Sequence, residues 1–147
     1  MATKNQQKYE KDFYAWTIQN AKLLREGKFS EIDVEHIAEE IESMGKRERR
    51  ELINRLAILI AHLLKWEHQP ARRSKSWECT IKEQRFELID LLEESPSLKH
   101  EIEDQLSHAY QKALLSAEKE TGFERKAFPK NCPFSLKQTL NQKFFPG

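Results

Sequence analysis

An all-α fold is predicted by three features of this 147-residue chain. Apolar residues recur at three- and four-residue spacing over long stretches. Only four glycines and five prolines interrupt them, and most of these fall between the periodic stretches. The length is that of one domain able to bury a sizeable core without staples. The expected architecture is a single-domain helical bundle, residues 1–147, with four main helices and a C-terminal tail that carries a short helix.

Tyr9, Phe13, Trp16, Asn20 and Leu24 keep helical spacing and Gly27 supplies a stop, which places a first helix at about residues 8–26 and leaves residues 1–8 flexible. Ser30 and Asp33 are candidate N-caps of the next helix, because their side-chain oxygens can accept from its first free amides. Val34, Ile37, Ile41, Met44, Leu52, Leu56, Leu59, Leu63 and Trp66 then form one long pattern, and its phase is unchanged across Gly45. A loop would scramble that phase, so one helix at about 33–68 is predicted, with a split at Gly45 as the alternative. Gln69-Pro70 ends it, since the residue before proline resists the helical region. After a short basic turn, Trp77, Ile81, Gln84, Leu88, Leu91 and Leu92 mark a third helix ending near Glu94. Ser95-Pro96 opens a fourth, which Leu98, Ile102, Leu106, Ala109, Ala113 and Ala117 carry to Thr121 before Gly122 closes it. The remaining 123–147 reads as a docked tail with a short helix at about 134–141, anchored by Phe123, Phe128, Phe134, Phe144 and Phe145.

With 25 basic against 24 acidic residues the net charge is +1, so no whole-molecule field draws in nucleic acid or anionic membrane. Cys79 and Cys132 are far apart and suit a reducing compartment. The N-terminal stretch is polar, and the longest apolar run, residues 56–61, stops at His62. A cytoplasmic protein with no membrane span is expected.

The chemistry concentrates on the long helix. Residues seven apart nearly share an azimuth, drifting by about 20°. With Val34 and Ile41 taken as the buried face, the next positions on that line are Glu48, Arg55 and His62. Successive members lie about 10.5 Å apart along the axis, so they need bridging partners from other helices. Asn20, Gln84 (with Arg85 at its edge) and Glu120 are candidates, with Trp66 flanking. A buried ion must be paired. A network joining Arg55 to Glu48 or Glu120, with His62 close by, is therefore expected, and loss of Arg55 is expected to cost several kcal/mol by stranding a buried acid. Such a seam either fixes helix register or opens into a functional pocket.

Other groups carry less. Asp33, His36 and Glu40 share one side of the helix and form a weak metal-site alternative, although no second Glu-x-x-His is present and acids near a helix start suit its dipole anyway. Arg72, Arg73, Lys75 and Trp77 form a candidate nucleic-acid patch, the structural alternative being helix-end capping and anchorage of the turn. The run Lys46-Arg47-Glu48-Arg49-Arg50-Glu51 is mixed in sign and reads as a solvated face. No phosphate loop, Ser-His-Asp signature or zinc spacing occurs, and no cofactor is expected.

Arg55 and His62 resemble the Arg-x(4–6)-His element of the HEPN superfamily of helical ribonucleases, with Leu56 standing where those proteins place a polar residue. That resemblance implies a metal-independent ribonuclease in which Arg55 stabilises charge on phosphate and His62 shuttles a proton. A broader resemblance covers the chain from about residue 9 onward. It is carried by Asp12-Phe13-Tyr14-Ala15-Trp16, Ala38-Glu39-Glu40-Ile41-Glu42-Ser43-Met44-Gly45, His62-Leu63-Leu64-Lys65-Trp66, Gln69-Pro70, Arg73-Ser74-Lys75-Ser76-Trp77, Thr80-Ile81, Glu120-Thr121-Gly122-Phe123, Phe128-Pro129 and Cys132-Pro133. These strings resemble the domain of unknown function family number 29, which is bacterial and abundant in cyanobacteria. The resemblance implies an all-helical fold and brings no activity with it. The leading functional reading is a small helical protein of interaction or accessory type with a polar cleft, and a homodimer, another protein or RNA all stay open as partners. A metal-independent ribonuclease and a metal-dependent hydrolase are the alternatives.

Overall fold

The computed structural model describes residues 2–147, and every regular element among them is helical. The α-helices are α1 (Lys4–Lys11), α2 (Phe13–Arg25), α3 (Val34–His68), α4 (Lys75–Glu94), α5 (Lys99–Thr121) and α6 (Leu136–Leu140). Short 3₁₀ turns lie at Pro70–Arg72, Pro96–Leu98 and Arg125–Ala127. The chain divides into two compact units, one ending at Arg47 and the other spanning Glu48–Gly147, with α3 contributing to both.

The single first helix expected at 8–26 is two helices. Asp12 leaves the helical region, with φ −150° and ψ 80°, and its carboxylate accepts from the Ala15 N–H at 3.1 Å, capping α2. A local cap thus overrides an apolar period that continues through it. Upstream, Thr3 and Gln6 form a reciprocal capping box that starts α1 inside the stretch expected to be flexible. Of that stretch, Met1 lies outside the described residues.

The remaining boundaries follow the chain's own punctuation. Helix α3 runs unbroken through Gly45, as the uninterrupted phase requires. The Ser74 hydroxyl accepts from the Trp77 N–H and caps α4. Pro96 opens a 3₁₀ turn leading into α5, which stops at Gly122 in the left-handed region, φ 76°. Ser135 and Gln138 close a second capping box at the start of α6.

In the Glu48–Gly147 unit, α3 presents Leu52, Leu56, Leu59, Ile60, Leu63 and Leu64 to the interior, all fully buried. Ile81 and Leu88 of α4 meet them, as do Ile102, Tyr110 and Leu114 of α5. Ala109, Ala113 and Ala117 recur every four residues along α5 and are fully buried, so short side chains line its inner face. Phe128 and Phe134 of the tail complete this core.

One charged residue is enclosed with no carboxylate beside it. Arg85 of α4 is 0% exposed. Its Nε donates to the Thr139 carbonyl at 2.7 Å, and one terminal nitrogen donates to the carbonyls of Phe144 at 2.8 Å and Gln138 at 3.4 Å. Gln138 and Thr139 lie in the last turn of α6, at the negative end of the helix dipole; the Gln138 carbonyl also accepts from the Asn141 N–H at 3.2 Å. The guanidinium also lies over the Phe145 ring, 5.4 Å from its centroid. Burial lowers the Arg85 pKa to about 10, which still leaves it charged at neutral pH.

Arg85 is therefore what fastens the tail. An Arg85→Met substitution keeps the apolar stem and strands the carbonyls of Thr139 and Phe144. It is expected to cost about 3 kcal/mol or more in chemical denaturation, and to expose the 128–147 segment to limited proteolysis. Parent-like stability and protection in this variant would contradict the assignment.

Candidate functional site

The densest polar constellation lies in the unit ending at Arg47, around Asp33. The α2 cap and the turn before α3 bring Asp33 against Trp16 and Asn20, and all three are buried. The Asp33 carboxylate accepts from Trp16 Nε1 at 2.9 Å and sits 2.6 Å from His36 Nδ1, while its backbone N–H donates to Asn20 Oδ1 at 3.0 Å. Asn20 donates in turn to Asn5 Oδ1 at 2.7 Å and to the Trp16 carbonyl at 2.9 Å, and Asn5 donates to the Glu31 carbonyl at 3.0 Å. Asp33 also accepts, at 3.4 Å, from the His36 backbone N–H at the start of α3, so it is the cap that sequence spacing proposed. The His36 ring stacks on Tyr9, centroids 3.9 Å apart and planes within 11°, and the Tyr9 hydroxyl donates to Glu40 Oε1 at 2.5 Å.

The electrostatics follow from these contacts. Burial works to raise the Asp33 pKa, but hydrogen bonds from His36 and Trp16 outweigh it and hold the carboxyl below its ordinary value. The same bond, against desolvation, raises His36 above its ordinary value. The hydrogen bond to Glu40, aided by burial, pushes Tyr9 up to about 12. Both shifts favour the ionised pair of carboxylate and imidazolium. His36 also lines a cleft of about 470 Å³ with Gln6, Glu10 and Glu35. A carboxylate-oriented imidazole is the pairing that general acid–base sites use. The described hydrogen bonds give His36 no hydroxyl or thiol partner to activate, and they tie α1, α2 and the start of α3 together.

The weak metal reading gains no support here. Asp33 and His36 bond to each other directly, Glu40 is engaged by Tyr9, and no metal-holding group of three or more His, Cys, Asp or Glu residues occurs among the described residues.

The polar seam is corrected in the Glu48–Gly147 unit. Val34 and Ile41, taken as the buried reference, are 62% and 58% exposed. Starting from an outward line, the seven-residue walk reaches Glu48, which is exposed, and then Arg55 and His62, which are partly buried at the edge of the apolar face. Arg55 bonds Glu51 at 3.0 Å and Gln84 at 3.3 Å, with Glu87 at 3.8 Å, and neither Glu48 nor Glu120 is its partner. Gln84 was anticipated, whereas Asn20 belongs to the Asp33 cluster. His62 Nδ1 bonds the Ile58 carbonyl at 2.9 Å. Burial lowers its pKa, and the nearby Lys65 adds to that effect. Arg55 and His62 are both partly exposed and share no bonding partner.

Glu120 pairs instead with Lys65, at 2.6 Å. Sequence reasoning missed this buried ammonium, whose Nζ also lies 4.8 Å from the centroid of Trp77. Part of the candidate nucleic-acid patch is likewise engaged within the chain. Arg73 Nε donates to the Trp66 carbonyl at 2.8 Å, its guanidinium lies over the Trp66 ring, and it reaches the Pro146 carbonyl at 3.3 Å. Trp66 packs on Phe145, and Lys75 lies 3.7 Å from Glu78. Arg72 is exposed. Arg73 thus follows the anchoring alternative, while Arg72 and Lys75 stay exposed. Basic side chains do meet in a cleft of about 760 Å³ on α5 and the tail, lined by Gln111, Arg125, Lys126, Lys130 and Asn131.

Two predictions separate these groups. Arg55→Ala removes a partly exposed pair and is expected to cost less than about 1 kcal/mol, whereas Glu120→Ala strands the buried Lys65 and is expected to cost about 1–3 kcal/mol. Equal denaturation midpoints for the two variants would contradict the placement. The second concerns pH. Stability from a raised His36 pKa is fully present below its ordinary value of 6.5 and is lost as pH climbs through the folded value. Stability from a lowered Asp33 pKa is present above 3.8 and is lost as pH falls through the folded value. The difference in melting temperature between the parent and His36→Gln is therefore expected to be largest between those limits and to shrink on either side. A pH-independent difference would refute the pair.

The described residues contain no helix long and apolar enough to cross a membrane. No curated protein and no solved structure matches the chain. The family model described as Domain of unknown function DUF29 matches residues 8–145, nearly the whole length. It spans all the strings that carried the resemblance from residue 9 onward, and the chain belongs to that family.

Proposed function

We propose that the chain is an interaction or accessory module that docks a macromolecular partner through the unit ending at Arg47. One observation carries this reading. Trp16 is the one large apolar side chain buried among the described residues of that unit, while Phe13, Tyr14, Ile18, Leu24, Phe29, Val34, Ile41 and Met44 are all at least 40% exposed. Isolated exposed apolar residues are ordinary, but this many on a segment of such length amount to a contact surface. Its fold is held by the polar cluster around Asp33, which leaves apolar faces available for binding.

A bacterial cytoplasmic setting suits this reading. Both cysteines, Cys79 and Cys132, are free thiols, and burial raises the Cys132 pKa, which keeps it the inert thiol. A single-domain reading of residues 1–147 also fits, since α3 passes without a break from one compact unit into the other.

The test uses an environment-sensitive apolar dye and the folded protein. Saturable dye binding is expected at native pH, reduced in a Tyr14→Lys/Ile18→Lys variant whose circular dichroism and melting curve match the parent. Absence of dye binding by the parent would contradict the reading.

A further inference from the structure

We propose that the partner seated on α3 is a second copy of this chain, lying antiparallel along the stretch from Val34 to Arg47. Self-docking of this kind rests on the interaction reading above and names its occupant. Val34, Ile37, Ile41 and Met44 follow one another at spacings of three, four and three, the alternation of a and d positions in a two-helix seam. Among the described residues Val34, Ile41 and Met44 are left 62%, 58% and 52% exposed, while Ile37 is partly buried.

The charge along this stretch chooses both the occupant and its direction. Glu35, Glu39, Glu40 and Glu42 occupy its first part, and Lys46 and Arg47 its last, with Arg49 and Arg50 following in sequence. A parallel copy would set acid beside acid and base beside base. An antiparallel copy sets the acidic part of each against the basic part of the other. With Ile41 of one copy against Met44 of the other, the two central layers are apolar, Ile37 and Val34 face Glu48 and Glu51 of the second copy at the ends, and the flanking positions bring Glu40 beside Arg47 of the second copy. On the other flank Ala38 meets Gly45 of the second copy.

Gly45 supplies an independent reason. A glycine inside a helix costs about 1 kcal/mol relative to alanine, and a Cβ added at Gly45 would meet nothing within 4 Å in this chain. The fold of one chain gives no use for it. A close approach of two helix axes does. The next a position is Glu48, which ends the apolar seam after about two heptads. A contact that short lies at the small end of stable interfaces, so the dimer is expected to depend on concentration.

Sedimentation velocity over a concentration series tests this directly. The parent is expected to form a reversible dimer that weakens as salt is added, because opposite charges face each other. Ile41→Lys, Gly45→Leu and Arg47→Glu each alter a residue exposed in the single chain. Each is expected to keep its circular dichroism and melting curve and to weaken dimerisation by at least about tenfold. Tyr14→Lys on α2 is expected to leave dimerisation unchanged. A parent that binds the apolar dye yet stays monomeric throughout overturns self-docking and leaves the interaction reading standing. A dimer indifferent to Ile41→Lys overturns this surface. A dimer strengthened by salt overturns the antiparallel arrangement.

Discussion

A polar group taken out of water must be met by other polar groups, and that constraint determines how this molecule is held together. The Arg85 guanidinium shows both the rule and its limit. It is wholly enclosed, its Nε and one terminal nitrogen donate to carbonyls of α6 and of Phe144, and its other terminal nitrogen is buried without a partner. A side chain with several fixed donors suits this task, because no single acceptor from the tail could satisfy it. The tail contributes Phe128 and Phe134 to the core of the Glu48–Gly147 unit, so fastening the tail also completes that core.

The same constraint acts on Asp33 in the unit ending at Arg47. There the enclosed group is an anion, and its partners are an indole N–H, an imidazole and the backbone N–H of His36. Asn5 and Asn20 satisfy each other and extend the network to a backbone carbonyl. Closing a small helical unit with directional bonds requires less apolar burial than closing it with a core. Phe13 packs on Tyr9 and Trp16, but most other outward apolar residues on α2 and α3 stay exposed, and the proposed docking role rests on them.

The architecture was readable where a local signal and a periodic signal agreed. The unbroken phase across Gly45 identified α3 as one helix, and Ser95-Pro96 with Gly122 bracketed α5. Asp12 was missed because Tyr9, Phe13 and Trp16 keep helical spacing on both sides of it, so its cap was masked by the period. The polar seam failed for a different reason. It assumed that Val34 and Ile41 were buried because they are apolar and periodic, yet periodicity reports a shared face without saying whether the chain covers it. Arg85 was seen only at the edge of a stripe, since its partners are backbone carbonyls and no residue type announces those. Lys65 resembles a solvated lysine until Glu120 and Trp77 are placed beside it. Asp33 was legible as a cap, whereas its bonds to Trp16 and Asn20 depend on the tertiary arrangement.

The most direct test of the enclosed guanidinium is side-chain hydrogen exchange followed by nuclear magnetic resonance. The Arg85 Nε–H is predicted to give a resolved signal that survives in deuterated solvent far longer than that of the exposed Arg72. An Arg85 signal that vanishes as quickly as that of Arg72 would show the guanidinium open to water and would contradict the account of how the tail is held.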